Sequence, residues 1–307
     1  GWSGGDEMSK EFNACINILS SRHKCLPHCL KSLWDKWNYR YNYPVYVHYF
    51  DDIYDDKNMR QAIIDFTKSD VRFISVPYET PGHIPEEELF YNRRDLWYVA
   101  NGRFGKNRKG YLHMCHFYNN LYGYPNTEFD KYDYILSVDD ESLFLKEVPY
   151  NFFEVISKQD SIAGAIKLTD PSIKPLHQGV FDTRTGILDF VKNYIKKYDV
   201  EIKSEFIANL FTETEEYFHQ NLIVADSWIF KTKMFKTPEW EQWTTEINNS
   251  GGVYKGRWGD TEMNVLFMLI HYGYLPYDFK TVDEGYHDQG GLRHIQNYAP
   301  SIRDINR

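Results

Sequence analysis

Residues 132–144 of the chain read YDYILSVDDESLF and decide the fold class. Seven mostly apolar or aromatic residues, typical of a buried strand, are followed directly by Asp139, Asp140 and Glu141. Carboxylates are too costly to bury unpaired, so at the end of such a strand they must meet water or a cation. The stretch therefore predicts a central strand that ends either in a solvated acidic turn or in a site for Mg²⁺ or Mn²⁺.

Strand-like and helix-like segments alternate before this stretch. The apolar patterns predict strands at 12–19, 44–50 and 71–77, with helices at 29–37 and 59–68 between them. This order is typical of a parallel α/β sheet, which presents its ligand site at the carboxyl ends of the strands. Since no GxGxxG motif follows the first strand, a dinucleotide-binding fold has little support.

Composition excludes two function classes. The net charge of −9 argues against a protein that binds nucleic acid, which needs a clustered Lys/Arg surface. No run of 18 apolar residues is present, so the sequence predicts no membrane span. Aromatic residues make up 17% of the chain, which suits either sugar-binding surfaces or simply an aromatic core.

The cysteines leave two interpretations open. Four cysteines are too few for a disulfide scaffold. Cys25, His28 and Cys29 in KCLPHCL could bind zinc, but a single such cluster with Pro27 inside it equally suits packing of a helix.

The second half of the chain adds two candidates. Asp260 precedes an apolar helix predicted at Met263 to His271, where it could cap the helix and project into a site. His287 lies among polar and glycine residues in DEGYHDQGG, a setting that suits a ligand better than a core position.

Four stretches, in this order, resemble the fungal Golgi α-1,2-mannosyltransferases of glycosyltransferase family 15. They are YLHMCHFY (111–118), YDYILSVDDE (132–141), GGVYKGRWGD (251–260) and GYHDQGG (285–291). The resemblance implies a GT-A fold, a Rossmann-like mixed sheet flanked by helices. It also implies transfer of mannose from GDP-mannose to a glycan hydroxyl with retention, and Mn²⁺ (or Mg²⁺) as cofactor.

The resemblance also implies an organisation and a location. We expect a tag or stem remnant at 1–10 and a single catalytic domain at 11–307. Its nucleotide-sugar half would span about 11–145 and its acceptor half about 146–300. A family member whose anchor has been removed would belong in the Golgi lumen, and any other protein of this kind in the cytoplasm.

Carried over by position, the resemblance assigns roles to single residues. Tyr111 would contact the donor, Asp139 and His287 would bind the metal, and Asp260 would lie near the reacting sugar. Asp139, Asp140 and Glu141 replace the family's Glu-Pro-Asp motif, which adds Asp140 and Glu141 to the donor-binding candidates. This departure at the donor site keeps a UDP-sugar transferase open as an alternative.

The family's catalytic-site glutamate falls on Trp228 in FHQNLIVADSWIF (218–230), which leaves a catalytically inactive carbohydrate-binding relative as a further alternative. Because residues two apart share a face of a strand, we expect Asp226 to replace that glutamate. Trp228 and Trp258 are candidate acceptor-binding residues. Arg22, after the first strand, is a candidate donor contact, and the loops 20–23 and 51–55 are expected to hold the base and ribose.

Overall fold

The computed structural model describes residues 12–77, 79–102, 108–173, 179–288 and 292. Residues 1–10, predicted to be a tag or stem remnant, lie outside this range. The strands, in chain order, are β1 (Ala14–Leu19), β2 (Val45–Tyr49), β3 (Val71–Ser75), β4 (Tyr134–Ser137), β5 (Leu143–Phe144), β6 (Ala163–Thr169), β7 (Val224–Lys231), β8 (Tyr277–Asp278) and β9 (His287–Asp288).

Seven of these strands form one mixed sheet in the order β3-β2-β1-β4-β7-β6-β8. The first four run parallel, with Ile16 beside both Val45 and Leu136. β7 is antiparallel to β4 and β6, and β8 runs parallel to β6. β4, the strand predicted within residues 132–144, is the fourth of the seven strands in the sheet and is therefore central, as predicted.

The α-helices cover both faces of the sheet. They are α1 (Leu26–Lys36), α2 (Lys57–Thr67), α3 (Trp97–Ala100), α4 (Lys109–Asn119), α5 (Phe152–Ser157), α6 (Gly179–Asp182), α7 (Ile187–Lys197), α8 (Glu205–Asn209), α9 (Glu215–Asn221), α10 (Pro238–Ser250), α11 (Gly252–Gly256) and α12 (Asp260–His271). Capping residues in the sequence determine where several of these helices begin. The Asp56 carboxylate accepts hydrogen bonds from two amides at the start of α2, and Thr237 with Pro238 begins α10.

The alternation of side chains along β1 divides the core in two. Ile16 and Ile18 face a cluster that includes Leu30 of α1 and Phe152 of α5. Cys15 and Leu19 face the other cluster, which includes α4, α10 and α12. The central strands are therefore buried on both faces, as continuous apolar strands predict, whereas the edge strand β3 is partly exposed.

The helix α12 is enclosed on all sides: every residue from Met263 to Ile270 is buried, and all of these except Asn264 are apolar. Such a pattern is typical of a helix enclosed by a protein core. Of the helices in the described ranges, none has the length and apolarity that crossing a membrane requires.

Candidate active site

A cavity of about 370 Å³ opens at the carboxyl ends of β1, β2 and β4. This is the edge at which a doubly wound sheet binds its ligand. The lining comes from these strand ends, α4, β6, β7 and the start of α12: Leu19, Ser20, Ser21, Arg22, Phe50, Asp51, Gly110, Tyr111, Met114, Tyr118, Asp139, Asp140, Glu141, Lys167, Asp226, Ser227, Asp260 and Thr261.

Three carboxylates from distant parts of the chain converge in this cavity. Ser137 of β4 pairs with Trp228 of β7, and this antiparallel register continues towards Asp139 and Asp226. Asp260 enters from α12. Burial raises the pKa of Asp139 to about 7, and the charges of Asp226 and Glu141 add to the shift. The pKa of Asp260 is raised by burial and then by Asp139 and Asp226, so the three groups share one electrostatic environment.

Asp260 reaches the cavity from a different helical position than predicted. The helix α12 begins at Asp260 rather than Met263, and Gly259 occupies the N-cap position without a side-chain hydrogen bond. Asp260 is therefore the first helical residue and not the N-cap, contrary to that part of the prediction. Its side chain lines the cavity, as the expectation that it projects into a site requires.

Arg22 binds Asp140 and Glu141, the two acidic residues that follow Asp139. Its Nη1 contacts Glu141 Oε2 and lies 3.5 Å from Asp140 Oδ1, while its backbone amide donates to Asp140 Oδ2 at 3.1 Å. Ser20 Oγ also donates to Asp140 Oδ2, at 2.9 Å, and shares a 2.7 Å hydrogen bond with the hydroxyl of Tyr54. Burial nevertheless raises the pKa of Asp140 to about 6. The acids that replace Pro and Asp of the family motif are thus tied to the loop after β1.

His287 lies beside the acidic segment rather than in the lining of the cavity. It pairs with Phe144 between β5 and β9, and the two rings are 4.8 Å apart. The side chain is 1% exposed, and neither ring nitrogen has a hydrogen-bond partner among the described residues. Burial, and secondarily the charge of Lys167, lowers its pKa to about 3. A neutral imidazole with unpaired nitrogens is the form that binds a metal ion.

Tyr111 lines the cavity from the first turn of α4. The guanidinium groups of Arg257 and Arg108 lie over its ring, at 4.0 and 5.4 Å from the centroid. Burial raises its pKa, so the phenol keeps its proton. The side chain can offer a ring face and a hydroxyl to a ligand, as its predicted donor role requires.

Asp226 and Trp228 do not share a face in the way that regular strand alternation predicts. Ser227 between them has φ +56°, in the left-handed region. Asp226 and Ser227 both line the cavity, whereas Ala225 and Trp228 both contact the same core cluster. The Trp228 ring is 2% exposed and stacks on Phe230 at 5.2 Å, outside the cavity lining.

Trp258 is likewise a core residue, 5% exposed. Its Nε1 donates to the carbonyl of Thr185 at 2.9 Å, and its ring fills the space above Gly252 and Gly256. A Cβ on Gly252 would come within 2.2 Å of this ring. The positions of both tryptophans therefore favour packing over the predicted contact with an acceptor.

Sequence reasoning missed Lys167, Met114 and Tyr118, which also line the cavity. Lys167 was detectable in principle, because it is the charged residue in the otherwise apolar strand AGAIKLT. Met114 and Tyr118 follow Tyr111 at helical spacing on α4, so a helical projection from Tyr111 would have found them.

The zinc interpretation of KCLPHCL is not supported. Cys25 and Cys29 are buried, and their thiols donate to the carbonyls of Leu292 and Asp139. His28 packs edge-on to Phe66. Across the described ranges, no three His, Cys, Asp or Glu side chains are grouped as a metal site. Helix packing, the other interpretation, fits the observed contacts.

The architecture is the GT-A fold of glycosyltransferases. Residues 4–271 match the family described as glycolipid 2-alpha-mannosyltransferase, and the chain belongs to this family. The predicted resemblance and fold class are therefore confirmed.

Two curated fungal relatives match the chain. It is 24% identical over 246 residues to the probable mannosyltransferase MNT3 of Candida albicans, covering 78% of this chain and 60% of that protein. It is 22% identical over 168 residues to the probable mannosyltransferase KTR4 of Saccharomyces cerevisiae, covering 53% of this chain and 35% of that one. The chain thus matches less than two thirds of the length of either relative.

Solved structures share the fold. Core-mannan synthase A from Aspergillus fumigatus, in its Mn/GDP form, superposes with a TM-score of 0.64 at 17% identity, covering 87% of this chain and 73% of that chain. The mannosyltransferase Ktr4p of S. cerevisiae in complex with GDP superposes with a TM-score of 0.65 at 17% identity, covering 90% and 71%.

Proposed function

We propose that this protein is a metal-dependent mannosyltransferase that moves mannose from GDP-mannose onto a glycan hydroxyl with retention. The observation that carries the proposal is the convergence of Asp139, Asp226 and Asp260 in one cavity of a chain from a mannosyltransferase family. The Mn/GDP form of the Aspergillus relative supports the choice of metal and nucleotide. The proposal extends to the family's location, the Golgi lumen.

Asp139 and His287 are the residues that would hold the metal ion. The unpaired, buried ring nitrogens of His287 fit this role, because a buried imidazole normally has a hydrogen-bond partner. The strands β5 and β9 hold His287 beside the segment that follows Asp139. When bound, the ion would stabilise the negative charge that develops on the leaving diphosphate.

The reaction exchanges one bond of the anomeric carbon for another. The bond from this carbon to the phosphate oxygen breaks, and its electron pair stays on the diphosphate. The acceptor oxygen bonds to the same carbon, and its proton passes either to a carboxylate or to the departing phosphate. Asp226 would stabilise the positive charge at the anomeric carbon, and Asp260 would hold a sugar hydroxyl.

The loops after β1 and β2 are the proposed nucleotide contacts. Ser20, Ser21, Arg22 and Asp51 all line the cavity, on the side away from β6 and β7. Arg22 remains a candidate phosphate or base contact, since its side chain is 34% exposed although it also binds two acids. A nucleotide complex in which both loops lie more than about 10 Å from the base, beyond hydrogen-bond range, would contradict this assignment.

Incubation with a panel of nucleotide sugars, Mn²⁺ and a mannoside acceptor tests the proposal. We expect transfer from GDP-mannose, slow hydrolysis of this donor without acceptor, and loss of both with EDTA. Asp260→Asn should lose activity, while Asp160→Asn, at an exposed position, should retain it. Turnover of a UDP-sugar instead would establish the alternative donor. Turnover of no donor would favour the inactive relative and overturn the proposal.

A further inference from the structure

The charges that line the cavity are unevenly balanced. Six of its described lining side chains are acidic and two, Arg22 and Lys167, are basic. Arg22 is already engaged with Asp140 and Glu141. A diphosphate that enters this cavity would therefore face mostly negative charge. Its binding requires positive groups that are not already paired with carboxylates of the protein.

Lys167 is such a cation. Within the described residues it forms no hydrogen bond and no ion pair within 4.0 Å, although it lines the cavity. In the antiparallel pair β6–β7 it lies directly opposite Asp226, so the two side chains project from the same face. The flexible stem and compact ammonium of lysine suit it to phosphate oxygens as a point charge.

Lys167 lies in the same cavity as the residues assigned to the sugar and to the diphosphate. Its neighbour across the strands, Asp226, is the carboxylate assigned to the anomeric carbon. Asp139, which is assigned to the metal ion and therefore to the diphosphate, lines the same cavity as Lys167. Lys167 thus shares one cavity with residues assigned to both sides of the bond between sugar and phosphate.

We propose that Lys167 binds a non-bridging oxygen of the donor diphosphate, as a cation built into the sheet that acts alongside the metal ion. This inference rests on the proposed function, because it deepens the assignment of the cavity to a nucleotide sugar. The competing explanation is that Lys167 serves only to neutralise Asp226, its neighbour across the strands.

Calorimetry with inorganic pyrophosphate, GDP and guanosine, each with EDTA and with Mn²⁺, tests the inference. We expect Lys167→Met to weaken pyrophosphate and GDP binding about tenfold or more in both conditions, since a hydrogen bond to a charged group is lost. Binding of guanosine should not change. Lys167→Arg should keep most of the affinity. Lys158→Met is the control, because this lysine precedes the opposite end of β6 and is 70% exposed.

Each outcome separates the two explanations. Unchanged metal-free affinity for pyrophosphate in Lys167→Met would overturn the inference and leave the proposed function intact. The inference would also be overturned if Lys167→Met lost thermal stability and pyrophosphate affinity and the added change Asp226→Asn fully restored both. That result would mean that Lys167 only neutralises Asp226. Wild-type protein that binds neither pyrophosphate nor GDP would overturn both proposals. Lysine-dependent pyrophosphate binding without turnover of any nucleotide sugar would support the inference and refute the proposed function.

Discussion

The guanidinium carbon of Arg257 lies 4.0 Å from the centroid of the Tyr111 ring. Arg257 Nε also donates to the hydroxyl of Tyr91 at 3.0 Å, which fixes the guanidinium plane against the aromatic side chain. Because Tyr111 lines the cavity, this stacking orients a residue expected to contact the donor. Arg257 is therefore a positioning residue for Tyr111.

Arg257→Lys should weaken this arrangement, because an ammonium cannot stack as a planar guanidinium does. We expect GDP affinity to fall about three- to tenfold, equivalent to roughly 1 kcal/mol, as measured by calorimetry. Arg72→Lys is a matched control, since Arg72 lies over the Tyr46 ring at 5.3 Å and neither residue lines the cavity. Equal losses in the two variants would show that the effect is general and not specific to Tyr111.

Metal binding is predicted to depend on Asp139 and His287. In the wild-type protein, EDTA should remove the Mn²⁺-dependent part of GDP or UDP affinity. Asp139→Ala should abolish this metal-dependent part without unfolding the chain, because it removes a hard oxygen ligand. Asp133→Ala, at the exposed position before β4, should behave like the wild type. Calorimetry that finds Mn²⁺-dependent nucleotide binding intact in Asp139→Ala would place the metal elsewhere.

Much of the fold follows from the sequence pattern. The observed bounds of β1, β2 and β3 agree with the predicted strands to within two residues at each end, because short apolar runs between turn signals describe buried parallel strands. Asp139 was found for a related reason: acids directly after such a run must lie at a strand end.

The parts that the sequence pattern missed depend on contacts between distant segments. Trp228 and Trp258 were assigned to an acceptor, yet both fill the core, because apolar periodicity does not distinguish a core ring from one that faces a site. The face of Asp226 was predicted by regular alternation, which fails where Ser227 adopts a left-handed backbone. The contacts of Arg22 with Asp140 and Glu141 were not predicted, because they appear only once β1 and β4 are adjacent, while its contact with the donor stays a prediction.

Acid sensitivity is predicted from His48 on β2. Its side chain is fully buried, and its Nδ1 is hydrogen-bonded to Asn17 Oδ1 at 2.8 Å. Burial lowers its pKa from 6.5 to about 3, against a smaller opposite effect of Glu128. The unfolded chain therefore binds a proton below pH 6.5 that the folded chain does not. The free energy of unfolding should fall between pH 6.5 and 3, by about 1.4 kcal/mol per pH unit for this residue.

His48→Gln tests this contribution, because glutamine can keep the hydrogen bond to Asn17 but does not titrate. Urea unfolding at several pH values should show a shallower decline in stability below pH 6.5 than in the wild type. His83→Gln, at an exposed position, should leave the slope unchanged. A wild-type slope in His48→Gln would show that other titrating groups cause the acid sensitivity.

Asp226 is the residue predicted to replace the family's missing catalytic glutamate. Trp228, which occupies that glutamate's position, lies in the core, whereas Asp226 lines the cavity together with Asp139 and Asp260. If Asp226 stabilises charge at the anomeric carbon, its interaction is made mainly in the transition state. Asp226→Asn should then reduce kcat by about 10³ or more with donor affinity intact, while Asp160→Asn should have no effect. A loss of only a few-fold would mean that transfer proceeds on the front face of the sugar without this carboxylate, and that Asp226 serves instead as a structural partner of a nearby cation.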